Sequence, residues 1–331
     1  MRRSWMVLGV GLALVGAACS GVSQAETSQT DTSQADTPQT ETSQTDTSQT
    51  DTSDDSLDVD AYLEVVADTE REYVQQFNTI LKATTQSYST RGVLFEAVTE
   101  AGFPGGAAIA LTSAQSVTPP SDFAQDHDAW VQLRSAVVGI AEDDFEAAVE
   151  SRDLQELLAV MTTLEQSYGS FFTALSRGFC LAAAFNSDLC PAGDDLPGGE
   201  YGQQVHEILR LYRLDTSGLF TFLPDMSPEE RSVRLGQVQP QIESALKTAG
   251  DAMAGIDPPT AFTDEHAAFV RFFEEQYSTA TAITEANAEG DDARVLKLFG
   301  VSGENAGRLR QSLTPEYEPI SAPFTAAGVA G

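Results

Sequence analysis

Histidine and cysteine are scarce in this 331-residue chain, three of each, and their placement bounds its chemistry. Two of the histidines sit in copies of one phrase. "PPSDFAQDHDAWV" spans residues 119–131 and "PPTAFTDEHAAFV" spans 258–270, with His127 and His266 at the same distance from a Pro pair, a Phe and a Val. An imidazole can hold a metal, carry a proton or fill a core. Each lies four residues after a Phe (Phe123, Phe262) and four before a Val (Val131, Val270), so both face inward on an apolar helical stripe. The usual helical metal devices are missing: there is no HxxxH, no ExxH and no CxxCH. A core brace is therefore the expected role, with a ligand site at His127 and His266 as the alternative and no metal assigned. The third, His206, has Ala67 at the matching position of the first copy and is expected to be incidental. No GxSxG, Walker or HExxH motif occurs, so neither catalysis nor a cofactor is expected. "GDDLPGGE" is rich in carboxylate but lacks the alternate-residue spacing of a calcium loop.

The cysteines divide differently. The chain opens "MRRSWMVLGVGLALVGAAC", with two arginines before a short apolar run that ends in small residues, the pattern of an export signal. The stretch "LVGAACS" resembles the lipobox of bacterial lipoproteins, departing from it at Gly16, where that pattern usually has Leu. The resemblance implies that residues 1–18 are removed and that Cys19 is lipidated. It also implies that the rest is held outside the cytoplasm on a membrane by its acyl chains; an ordinary cleaved signal peptide is the alternative. Such a compartment permits a disulfide between the two remaining cysteines, Cys180 and Cys190, with nine residues between them. Closing that loop is worth about 3 kcal/mol in the chain-entropy model.

Charge narrows the partners. Fifty Asp and Glu against eighteen Lys and Arg give a formal net charge of −32, and only Lys82, Lys247 and Lys297 supply ammonium groups. A phosphate backbone would be repelled, so nucleic acid is excluded as a partner. An anionic lipid surface is repelled too, which leaves the lipid at Cys19 as the membrane contact and an envelope protein as the possible partner. Residues 27–56 repeat one pentapeptide six times, "TSQTD TSQAD TPQTE TSQTD TSQTD TSDDS", without an aromatic, Leu, Ile, Val or basic residue. Such a segment has nothing to bury, so residues 19–56 are expected to form a disordered tether.

The folded part is written twice. A shift of 139 residues aligns the two His phrases, and between 117 and 157 it gives twelve identities in 41 ungapped positions. The same register pairs Tyr62 with Tyr201, Arg71 with Arg210, Tyr73 with Tyr212, Asp153 with Asp292 and Leu157 with Leu296. Apolar residues recur at helical spacing in both copies and strand alternation is absent, so the expected class is all-α: a tandem duplication of a roughly four-helix bundle unit. Repeat 1 is placed at 57–178, a joint with the disulfide at 179–199 and repeat 2 at 200–331. The Pro pairs end the segments before them, with Ser121 and Thr260 as expected N-caps. Asp153 and Asp292 are expected to cap the next helix in each copy, and Gly290 to close the one before it. "GFPGG" at 102–106 is expected to kink the second helix of copy one. The Pro-Pro…His phrases also resemble those of secreted α-helical lipoproteins of unassigned function from high-GC bacteria, which implies no activity. The expected function is that of an envelope-anchored helical module for binding or scaffolding, with a metal- or small-ligand-binding protein as the alternative.

Overall fold

The computed structural model describes residues 57–87, 91–100, 102–183, 187–216, 219 and 226–325; the signal segment, Cys19 and the tether fall outside them. Every regular element among the described residues is helical, so the chain is all-α as its stripes predict. The first half holds α1 (Val59–Ser87), α2 (Arg91–Glu100), α3 (Phe103–Ser116), α4 (Ala124–Gly139), α5 (Glu146–Ser151), α6 (Leu154–Ala174) and α7 (Arg177–Ala183). The second holds α8 (Glu200–Asp215), α9 (Pro228–Ala254), α10 (Thr263–Ala288), α11 (Asp292–Ser312) and α12 (Glu318–Thr325). Among the described residues no helix is long and apolar enough to cross a membrane.

The first half has more pieces because two of its helices are interrupted. Gly102 takes a left-handed φ of 66° and stops α2, and Pro104 then stands in the first turn of α3. That restart turns Phe103 fully inward, against Phe77 and Phe145, so "GFPGG" is a core-directed break. The second interruption is a π-helical turn, Ile140–Phe145, between α4 and α5. A π turn accommodates one extra residue without ending a helix. Burial shows the consequence. Up to Ala141 the halves match at a shift of 139, Trp130 with Phe269 and Ala141 with Ala280, all buried. From Phe145 onward the buried residues match at 138: Phe145 with Ile283, Ala148 with Ala286, Leu157 with Val295 and Phe171 with Leu309. The pairing of Leu157 with Leu296 is therefore corrected, since Leu157 is buried and Leu296 is 43% exposed.

The helix caps follow the shifted register. Asp153 accepts from the Gln155 and Glu156 amides, as expected of an N-cap. In the second half the cap is Asp291, which accepts from the Arg294 amide, whereas Asp292 binds the buried guanidinium of Arg231. Gly290 does close α10, with φ 70° and the Asp291 amide reaching back to the Ala286 carbonyl. Ser121 and Thr260 do not cap. Each opens a single 3-10 turn, Ser121–Phe123 and Thr260–Phe262, that swings the Phe towards the Tyr of the first helix of its half.

The two halves share a core. Leu214, Leu235, Ile283 and Val295 of the second half join the apolar cluster built on Tyr62, Trp130 and Phe171 of the first. Arg234 on α9 donates to Thr162 on α6, and Arg210 on α8 donates to the Phe172 carbonyl at 3.0 Å, near the end of α6. Phe179 on α7, at the start of the segment read as a joint, is fully buried among Tyr62, Phe123 and Trp130.

Candidate functional site

Both phrase histidines are placed the same way. His127 Nδ1 lies 3.0 Å from the Tyr62 hydroxyl, and His266 Nδ1 lies 3.2 Å from that of Tyr201. Phe123 stacks on Tyr62 and Phe262 on Tyr201, with ring centroids 6.2 and 5.8 Å apart. Each phrase thus clamps the first helix of its own half through one aromatic ring and one imidazole. Burial pushes both histidines below their ordinary pKa and pushes Tyr62 and Tyr201 up, so at neutral pH uncharged partners meet in each clamp. The structure does not bring His127 and His266 together. One packs against the first apolar cluster and the other against the second.

The acidic residue just before each histidine, Asp126 or Glu265, is buried. Asp126 accepts from both the amide (2.8 Å) and the hydroxyl (2.5 Å) of Ser176, which fixes the start of α7. Glu265 accepts from Thr314 Oγ1 at 2.7 Å, just ahead of α12. The halves then diverge at one atom. Phe179 fills the space beside Tyr62, while its counterpart Tyr317 adds a hydroxyl 2.9 Å from that of Tyr201. The second clamp is therefore a chain of three hydrogen-bonding groups, Tyr317, Tyr201 and His266.

A buried charge cluster, unforeseen from the sequence, lies in the first half. Glu70 on α1 accepts from Trp130 Nε1 at 2.5 Å and from Arg134 Nε at 2.9 Å, with a second ion-pair contact from Arg134 Nη2. Both side chains are fully buried. The guanidinium lies 4.1 Å from the Tyr73 ring centroid, within cation–π range. At the matching positions the second unit has Leu209, Phe269 and Phe273, with Phe273 edge-on to Tyr212 at 5.2 Å. At these three positions the first half pairs charges where the second packs apolar side chains. The signal for the charged solution was present: Glu70 sits on the stripe Tyr62, Val66, Tyr73, Phe77, and Arg134 sits on the stripe of Trp130 and Val137.

Cys180 and Cys190 are joined, with Cα atoms 5.5 Å apart. Their loop is bound to α8 by His206, whose Nε2 lies 3.3 Å from the Cys190 carbonyl, and by Arg210, which donates to the Leu189 carbonyl at 3.2 Å. His206, expected to be incidental, is a buried contact of this loop. Burial pushes the His206 imidazole below its ordinary pKa, against the Cys190 and Pro319 carbonyls, which favour the protonated ring.

Among the described residues no group of three His, Cys, Asp or Glu side chains is placed to share a metal ion. Two surface concavities stand out among the described residues. One, of about 450 Å³, has His266 at its wall with Ile256, Val270, Arg271 and Glu274. The other, of about 580 Å³, lies where the two halves meet. No protein-family model matches the chain, and neither a curated protein nor a solved structure matches it.

The three lowered histidines carry a pH dependence. Each folded-state pKa lies below the unfolded value of about 6.5, so the unfolded chain binds more protons on acidification. Their contribution is complete above that pH and is lost as pH falls through it. The urea midpoint should drop between pH 7 and pH 5, and drop less in His127→Gln/His266→Gln. A drop of the same size in that variant would show that these two imidazoles titrate alike in the folded and unfolded chains.

Proposed function

We propose that this chain is an envelope lipoprotein. It is anchored through lipid on Cys19 and held off the membrane by the pentapeptide tether, and it presents a fused helical body that binds or scaffolds a partner. The supporting observation is where the reactive residues go. His127 and His266 brace tyrosines, His206 and the Cys180–Cys190 bridge hold a loop, and Glu70 neutralises Arg134 within the core. Side chains spent on holding helices together suit a rigid platform better than a catalytic centre. The disulfide is compatible with an extracytoplasmic compartment. On this reading Cys19→Ala moves the protein from the membrane fraction to the soluble extracytoplasmic fraction. Unchanged membrane retention of that variant would sink the lipid anchor.

A second reading rests on the concavity beside His266. The imidazole edge there, with Arg271 and Glu274 on the rim, supplies polar groups over an apolar wall, the composition of a small-ligand site. His127 has Asp128, Gln132 and Ser135 at the corresponding rim positions, so the two units would select different ligands.

A further inference from the structure

The concavity at the seam is built from both halves. Gln166, Ser170 and Thr173 form a stripe along α6, and Gln241, Ser244 and Thr248 form another along α9. Gln166 Nε2 donates to Gln241 Oε1 at 2.6 Å and ties the two stripes together near one end. The floor comes from the end of α8. A Cβ on Gly169 would sit 3.0 Å from the Leu214 carbonyl oxygen, so a side chain there would press α8 away from α6 by a few tenths of an ångström. That approach brings Asp215, the last residue of α8, into the lining.

Charge then selects the occupant. Asp215 is the only charged side chain lining this cavity, and it forms no ion pair among the described residues. It stands at the carbonyl end of a helix, where the backbone dipoles also favour a cation. Asp215 is exposed at the mouth of the groove, and the packing on its inner side raises its pKa. The six stripe residues are amides and hydroxyls, each able to donate and to accept. One carboxylate among neutral groups in about 580 Å³ is a poor cage for a bare metal ion and leaves room for a larger body.

We propose that the seam groove binds a small organic ammonium compound, with Asp215 taking the cation and the stripes of α6 and α9 hydrogen-bonding its polar body. This rests on the reading of the chain as a binding module. It makes the two copies share one site at their junction, in place of one site each.

Calorimetric titration of the full chain tests it, run at 0.15 M salt so that the overall negative charge contributes little at long range. The probes are glucosamine and N-acetylglucosamine, which keep the same ring and hydroxyls but differ in the ammonium. Glucosamine should bind at least about tenfold more tightly, and Asp215→Asn should erase that preference. Thr173→Lys, which places a cation in the groove, should abolish glucosamine binding while leaving the melting temperature in place. Equal binding of the two sugars, an unaltered preference in Asp215→Asn, or no heat with glucosamine would each overturn the proposal. None of those results bears on the Cys19→Ala fractionation, so the groove and the anchor fail separately.

Discussion

Removing one member of the buried ion pair, by Glu70→Leu or by Arg134→Phe, should lower the unfolding free energy by about 3–5 kcal/mol, measured by urea denaturation. Each change strands a full charge at a site with no solvent exposure. The double variant Glu70→Leu/Arg134→Phe should recover much of that loss, since neither charge is left behind. It should still fall short by about 1–3 kcal/mol, because the Trp130 indole N–H loses its acceptor and is left unsatisfied in the core. Adding Trp130→Phe removes the orphaned donor and completes the set that the second unit already uses, Leu209, Phe269 and Phe273. The triple variant should therefore be the most stable of the series, within about 1–2 kcal/mol of the parent. Losses that simply add across the three sites would show that the two cores are not interchangeable solutions, and that Tyr73 and Tyr168 require the guanidinium beside them.

A single deletion should have opposite effects at two positions on the same helical run. Taking out Asp143, which is exposed within the π turn, gives the stretch from Trp130 to Ala148 the same length as that from Phe269 to Ala286 in α10, and lets α4 and α5 continue as one regular helix. That variant should fold with a midpoint close to the parent's or above it. Taking out Gln132, an exposed residue ahead of the turn, rotates the remainder of α4 by roughly 100°. Leu133, Arg134, Val137 and Ala141 would then leave the core, and Glu70 would lose its partner. Losing more than about 5 kcal/mol is enough to unfold many domains of this stability, so the Gln132 deletion should yield unfolded or degraded protein. Circular dichroism with thermal melting reads both. Equal damage from the two deletions would mean that the π turn is not where the extra residue is absorbed.

These contrasts also mark what the sequence discloses. The helical class, the inward histidines and the clamp spacing are local or short-range patterns, and each is found where its periodicity puts it. The register slip was hidden because identity misled. Glu146, Ala147, Glu150 and Asp153 match at a shift of 139, yet all four are exposed and carry no packing constraint. Burial, which obeys 138, is not printed in the letters. Glu70 and Arg134 stand 64 residues apart on different helices, so their contact is a fact of packing. Opposite charges on two apolar stripes were its only trace. Pro240 lies inside the 27-residue α9 without ending it, against the usual cost of an interior proline. The seam groove was illegible for a simpler reason: scattered Gln, Ser and Thr read as ordinary surface until two halves are docked.

The most direct test of the histidines as braces is a melting experiment on metal-stripped full chain. It is run with a panel of divalent metals and haem, beside His127→Ala/His266→Ala. If the imidazoles serve only to hold Tyr62 and Tyr201, no member of the panel shifts the melting temperature. The double variant then melts lower under every condition. A rise of several degrees with one ligand, absent in the variant, would contradict this and make the two clamps binding sites.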